Sequence, residues 1–121
     1  MDWDIDFCEE FYEEFQDFSE AVQDELLAHL QMLKQFGPSL GRPHVDTLNG
    51  SKHANMKELR FKADDGVWRA AFAFDPSRKA ILLVAGDKSG GSEKRFYKVL
   101  IKDADDRFDQ HLDSLKKGVK K

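Results

Sequence analysis

The chain has 121 residues, 40% of them hydrophobic and 35% charged, with a formal net charge of −4. That length suits a single domain over 1–121, burying about two-thirds of the surface its unfolded chain would expose. No apolar run approaches the roughly 20 residues of a membrane span, the acidic start is unlike the basic start of a signal peptide, and the lone Cys8 permits no internal disulfide. A cytoplasmic protein without a membrane partner is therefore expected.

The charge is unevenly spread. Residues 1–25 hold eleven of the 23 acidic side chains and no basic one, whereas 18 Lys and Arg face 12 Asp and Glu from Arg42 onward. An acidic total argues against a general nucleic-acid binder, but a basic side leaves room for a specific phosphate partner. An acidic N-terminal lobe laid against its own basic sheet would give the same pattern.

In chain order, Trp3, Ile5 and Phe7 alternate with Asp2, Asp4 and Asp6, which predicts a short edge strand whose acidic face discourages unwanted pairing. Phe11, Phe15 and Phe18 recur at helical spacing and predict a short amphipathic helix with a phenylalanine core stripe. Ser19 is a good N-cap for a second helix bearing Val22, Leu26, Leu30 and Leu33, ending at Gly37-Pro38. Gly37 to Met56 reads as a long connection pinned by Leu40, Val45 and Leu48. None of the four histidines has a metal-ligand spacing with another His, Cys or carboxylate, so no metal or other cofactor is expected.

A three-stranded antiparallel meander follows: Lys57–Lys62, Val67–Phe74 and Lys79–Gly86, separated by the turn sequences Ala63-Asp64-Asp65-Gly66 and Asp75-Pro76-Ser77-Arg78. Placing Lys62 opposite Val67 pairs Phe61 with Trp68 and Leu59 with Ala70, and sets Arg60 directly across from Arg69. A one-residue slip would move Trp68 and Phe72 off the core face. Two like charges facing each other are destabilising unless an anion lies between them. That anion is either a ligand or an Asp or Glu of the chain itself, unless both arginines simply lean into water.

Beyond the meander, Asp87-Lys88-Ser89-Gly90-Gly91-Ser92 leads into a helix from Glu93, with Ser92 as N-cap and Tyr97, Leu100, Ala104, Phe108 and Leu112 on its apolar stripe. A glycine-rich turn before a helix offers free backbone N–H groups suited to phosphate oxygens. The turn and the strand ends should gather Arg69, Lys88, Lys94 and Arg95 around the Tyr97 phenol. His111 is expected on the helix face near the core.

The order strand, two helices, meander, helix, together with Met56-Lys57-Glu58-Leu59-Arg60-Phe61, Gly66-Val67-Trp68-Arg69-Ala70-Ala71-Phe72 and the stretch Gly86–Tyr97, resembles the RelE/ParE superfamily of bacterial toxins. The last stretch is most similar to the phage-related, HigB-like branch. The resemblance implies an α+β fold: a small antiparallel sheet built from the N-terminal strand and the meander, two N-terminal helices and a C-terminal helix. It implies a type II toxin neutralised by a helix-turn-helix antitoxin, and ribosome-dependent cleavage of mRNA in which the 2′-OH attacks the adjacent phosphate. Arg69 then matches the strand arginine that contacts the scissile phosphate. Lys88 stands where many relatives place an arginine, Tyr97 stands near a C-terminal tyrosine with its register shifted by Gly90-Gly91, and Lys57 and Arg60 match basic residues of the preceding strand. No histidine adjoins Asp87, as it does in some HigB enzymes, and the chain continues into a helix where several RelE members stop.

The residues fit such chemistry in their own right. A phosphoryl transfer with RNA as its own nucleophile needs positive charge on the developing phosphorane, and Arg69 and Arg60 would supply it. Lys88 could add charge or act as the acid, Tyr97 could stack on a base or position the 2′-OH, and Lys94, Arg95 and Lys62 would add RNA phosphate contacts. A weak intrinsic acid–base set would leave orientation of the mRNA to the ribosome. The alternative is a non-enzymatic ParE-like gyrase poison or an inactive antitoxin-binding member. Lys57, Arg69 and Lys88 favour the enzyme. Phe11, Phe15, Phe18 and Trp3 are candidate anchors for an antitoxin clamped across the N-terminal helices.

Overall fold

The meander forms the middle of a five-stranded sheet. The computed structural model describes residues 2–118 as β1 (Asp4–Phe7), α1 (Glu9–Gln16), α2 (Glu20–Phe36), a 3₁₀ turn (Gly37–Ser39), β2 (Val45–Thr47), β3 (Met56–Ala63), β4 (Gly66–Phe74), β5 (Lys79–Asp87) and α3 (Glu93–Gly118). The strand order is β1-β5-β4-β3-β2. The α+β fold class is as expected, with two differences in the sheet. β1 is an edge strand, but it pairs parallel to β5, from Asp4 opposite Lys79 to Phe7 opposite Leu82. Within the long connection, Val45–Thr47 adds a fifth strand on β3. Alternation reports which face a residue takes and is silent on strand direction, and three residues are too few to show it at all.

The β3–β4 register is the expected one, with Arg60 opposite Arg69, Phe61 opposite Trp68 and Leu59 opposite Ala70. The turn between them is tighter than read. Ala63 and Gly66 still pair, so only Asp64 and Asp65 lie outside the ladder, at φ 52° and 60°. Two successive positive φ values make a type I′ turn, whose twist matches that of the strands.

Helices from opposite ends of the chain cover opposite faces of the sheet. Phe11, Val22, Leu26, Leu30 and Leu33 pack with Leu59, Phe61, Ala70, Phe72 and Leu82, while Leu100, Ala104 and Phe108 pack with Met56, Ala71, Ala73, Ile81 and Leu83. This two-sided cover explains why Ala80 to Val84 are buried in succession. The expected caps are in place: Ser19 Oγ accepts from Val22 N (3.3 Å), and Ser92 Oγ accepts from Arg95 N (3.2 Å). The Ser19 hydroxyl also donates to Asp64 (2.5 Å), tying the start of α2 to the β3–β4 turn.

β5 carries a bulge. Ala71 faces Val84 while Phe72 faces Leu82, leaving Leu83 as the extra residue. Arg107 of α3 takes the freed Leu83 carbonyl (2.7 Å) and grips Glu14 of α1 with both terminal nitrogens (2.9 and 2.6 Å), so one side chain links the two helical layers. His111 lies near the core as expected, with Nε2 2.7 Å from the buried Asp75, whose other oxygen accepts from Ser77 N and Lys79 N in the β4–β5 turn.

The proposed N-terminal docking anchors are used internally. Phe11 is fully buried, Phe15 and Phe18 pack against the same core, and Phe18 meets Trp68 at 5.1 Å. Trp3 lies edge-on to Phe74 (5.1 Å) with the Arg78 guanidinium 4.2 Å above its ring. These aromatics therefore do not offer a free apolar surface to a partner.

Trp3 also explains the glycine that ends α2. Gly37 has φ 55° and ψ −137°, a backbone region almost confined to glycine, and a Cβ there would overlap the Trp3 indole. Gly37→Ala is expected to cost about 1–3 kcal/mol in urea unfolding, from strain and overpacking together. Trp3→Ala/Gly37→Ala should cost less than the sum of the two single changes, because removing the indole removes the overlap. Additive costs would show that the backbone conformation alone requires the glycine.

Candidate functional site

Strand parity sorts the candidate residues before any contact is considered. On β3, Leu59 and Phe61 face α1 and α2, so Glu58, Arg60 and Lys62 face the side that α3 covers; Arg69 of β4 joins them there. Lys57 is three residues from Arg60 and opposite Phe72, which puts it on the α1–α2 face. It is therefore not brought into the cluster with Arg60, contrary to expectation. The acidic N-terminal helices also lie across the sheet from the arginines, so they do not serve as the arginines' counter-charge.

The like-charged pair is resolved within the chain. Glu58, two residues before Arg60 and diagonal to Arg69, is 5% exposed and sits between the two guanidinium groups. Its Oε2 accepts from Arg60 Nη2 (3.0 Å) and Nε (3.3 Å), and its Oε1 lies 3.7 Å from Arg69 Nε. Asp46 of β2, opposite Glu58 in the next ladder, takes a further bond from Arg60 Nη2 (3.3 Å). Two facing carboxylates and two facing guanidiniums thus neutralise each other diagonally across three strands. Asp and Glu partners for the arginines were one of the open readings, and Glu58 and Asp46 are the residues that fill it. The proximity of Glu58 holds the Arg60 guanidinium pKa even higher than usual.

Tyr97 completes the cluster from the second turn of α3. Its hydroxyl accepts from Arg69 Nε (3.1 Å) and donates to Glu58 Oε1 (2.7 Å). Burial first, and the Glu58 hydrogen bond second, push the phenol above its ordinary pKa of 10. Arg69 also donates through Nη1 to the Trp68 carbonyl (3.0 Å). With a side chain only 13% exposed, it is a braced group rather than a free surface arginine. Its Nη2 makes no hydrogen bond among the described residues. An open cleft of about 280 Å³, lined by Pro43, His44, Arg60, Lys62, Val67 and Arg69, leads to the guanidiniums.

The remaining basic residues belong to a neighbouring region. Asp87 Oδ1 accepts from Val67 N, Ser89 N and Ser89 Oγ, and these bonds, the Ser89 hydroxyl foremost, hold its carboxyl below the usual range. Gly90 and Gly91 follow at φ 72° and 67°. Lys88 and Arg95 line a second, larger cleft of about 420 Å³ with these glycines, Phe96 and Val99. Lys88 Nζ lies 3.7 Å from Glu93, and Lys94 is exposed on the first turn of α3. Of the candidates, Arg69 and Tyr97 are joined directly and Arg60 joins them through Glu58; Lys62 lines the same cleft, and Lys88 and Arg95 line the second one. Glu58, Asp46 and His44 were not singled out in the sequence. Among the described residues, no group of three or more His, Cys, Asp or Glu could hold a metal ion.

The arrangement offers two preformed guanidiniums facing a cleft, a phenol touching one of them, and a carboxylate behind the phenol. It suits binding of a single phosphate and movement of one proton beside it.

Known proteins resemble this chain in sequence and in fold. Residues 13–109 match the family described as phage derived protein Gp49-like (DUF891). The chain is 47% identical over 88 residues to HigB2 and 49% identical over 85 residues to HigB3, two candidate toxins of Mycobacterium tuberculosis (strain ATCC 25618 / H37Rv). These alignments cover 72% and 70% of this chain; it spans 43% of the length of HigB2 and 72% of HigB3. Its fold is similar to that of a free-state double-arginine mutant of the Escherichia coli toxin RelE, with TM-score 0.60 and 13% identity over 84% of this chain and 95% of that one. It is also similar to a chain of the archaeal RelE–RelB complex from Pyrococcus horikoshii OT3, with TM-score 0.54 and 14% identity over 75% of this chain and all of that one. The chain belongs to the phage-derived Gp49-like family, is related in sequence to the candidate toxins HigB2 and HigB3, and has a fold similar to that of RelE.

Proposed function

We propose that this protein is the toxin of a toxin–antitoxin pair and acts in the cytoplasm as a ribosome-dependent endoribonuclease. The observation that carries this reading is the Arg60–Arg69–Tyr97 cluster, buried behind a cleft on a RelE-like sheet. The mRNA phosphate enters the cleft and meets Arg69 Nη2 and Arg60. Two guanidiniums fixed on neighbouring strands stabilise the extra charge of the phosphorane as the 2′-OH attacks, and they need little reorganisation to do so. Lys62 adds charge at the cleft wall, and Lys88, Lys94 and Arg95 hold flanking phosphates. Lys57, on the opposite face, takes no part in the chemistry.

The ribosome supplies alignment of the 2′-oxygen, phosphorus and leaving oxygen, which a shallow open cleft cannot impose by itself. Neutralisation falls to a partner antitoxin of the helix-turn-helix type that covers the arginine cleft. The HigB relatives and a RelE fold neighbour solved with RelB support an antitoxin partner.

Expression of the chain alone should arrest growth and deplete intact mRNA, and co-expression of the antitoxin should reverse both. Growth arrest with intact mRNA and failing DNA supercoiling would favour a gyrase poison instead. In single-turnover cleavage of ribosome-bound mRNA, Arg69→Ala should slow the reaction by about 10²–10³, the usual loss for one transition-state donor. Arg69→Lys should recover only part of this, since an ammonium cannot keep both the Tyr97 contact and a planar grip on phosphate. A wild-type rate in folded Arg69→Ala would remove the arginine from the mechanism.

A further inference from the structure

The nuclease reading leaves open where the 2′-OH proton goes. Arginine is not a base at neutral pH, Lys88 lies against Glu93 outside the cluster, and the Tyr97 phenol holds its proton more tightly than an ordinary tyrosine. We propose, resting on that reading, that Glu58 is the final proton acceptor of the cleavage step and works through the Tyr97 hydroxyl.

The hydrogen bonds already point the right way. Tyr97 directs its own proton at Glu58 Oε1 (2.7 Å) and receives Arg69 Nε at 3.1 Å, leaving one lone pair of the phenol oxygen for the 2′-OH. Glu58 is too buried to touch RNA itself; Tyr97 is half-buried and adjoins the arginine at the cleft. As the bond from the 2′-oxygen to phosphorus forms, the 2′-OH proton moves to the Tyr97 oxygen and the Tyr97 proton moves to Glu58. The bond from phosphorus to the 5′-oxygen then breaks, and that oxygen takes a proton from water. The products are a 2′,3′-cyclic phosphate and a 5′-OH. After their release Glu58 returns its proton through Tyr97 to the hydroxide left by that water.

Charge is conserved locally along this route. In the resting protein Glu58 is the negative partner that Arg60 and Arg69 share, and Asp46 is a second one for Arg60 alone. When Glu58 takes a proton it loses that charge just as the phosphorane gains one, so the guanidiniums exchange one anion for another. A lone carboxylate facing the 2′-OH would lack this compensation. Glu58 thus positions Tyr97, and the phenol alone meets the substrate.

The test is the pH profile of single-turnover cleavage on ribosome-bound mRNA, carried from neutral pH as far to the acid side as the complex survives, with folding of each variant checked by thermal unfolding. Wild type should lose rate toward acid pH, as a reaction that needs an ionised base does. Glu58→Gln should be slower by roughly 10²–10⁴, the usual contribution of a general base, and should lose the acidic limb; Glu58→Asp should restore the limb in part. Tyr97→Phe keeps the Glu58–arginine pairs yet should flatten the same limb, and the double variant should be no slower than the worse single one. If Glu58→Gln does not fold, the Tyr97→Phe profile decides alone, and a retained limb there overturns the relay. A uniform slowing of Glu58→Gln at every pH with the limb intact would make Glu58 a structural counter-ion and overturn it too. Wild-type protein that leaves ribosome-bound mRNA intact at every pH would instead sink the nuclease reading, and the relay with it.

Discussion

In the β3–β4 ladder, the register that keeps Leu59, Phe61, Trp68 and Ala70 on the core face and pairs Phe61 with Trp68 also sets two guanidinium groups opposite each other. The core could not form after a one-residue slip, and the arginines could not stay where they are without an anion between them. Glu58 meets this need from within the same strand. Asp46 meets the remainder from β2, which reaches β3 only through the loop pinned by Leu40, Val45 and Leu48. Glu58 is the buried member, and removing it would leave two guanidiniums uncompensated, at a typical cost of about 3–5 kcal/mol. Hydrophobic order on one face of the sheet thus dictates electrostatic order on the other.

Much of this was legible in the sequence. The register followed because Phe61 and Trp68 are large and apolar while Arg60 and Arg69 are charged, so the two faces could not be confused. The same alternation separates Lys57 from Arg60, three positions apart, as it separates the apolar residues from the charged ones. Glu58 was harder to find. In the strand it looks like any polar residue alternating with Leu59; only the small Ala71 opposite it and the approach of Tyr97 from a distant helix make it central. The neighbourhood of Lys88 and Arg95 depended on a loop with Gly90 and Gly91 in the left-handed region. No spacing rule predicts which way such a loop will aim its ends.

Net charge is a poor guide to such a protein's partner. The chain carries −4 overall, yet eleven of its acidic residues lie within residues 1–25, on or beside helices that cover the face of the sheet away from the arginines. Within a Debye length of about 8 Å at physiological ionic strength, an anion at the cleft meets Arg60, Arg69 and Lys62 together with the carboxylates of Glu58 and Asp46, and not the acidic helices. The acidic helices take part mainly through Glu14, held by Arg107 over the bulge at Leu83.

Because opposite faces of the sheet are covered by opposite ends of the chain, the order of synthesis matters. The first helices, β3 and β4 leave the ribosome with Glu58, Arg60 and Arg69 already among them, while Met56, Ala71, Ala73 and Ile81 still lack their α3 cover. Tyr97 arrives about thirty residues after Arg69, and Leu100 to Phe108 follow it. A nascent chain therefore exposes both a bare apolar sheet face and an incomplete polar cluster until the last helix docks. Truncation anywhere before α3 removes the phenol and uncovers one of the two apolar clusters in one stroke, so premature termination yields a species with an incomplete polar cluster, exposed to proteolysis.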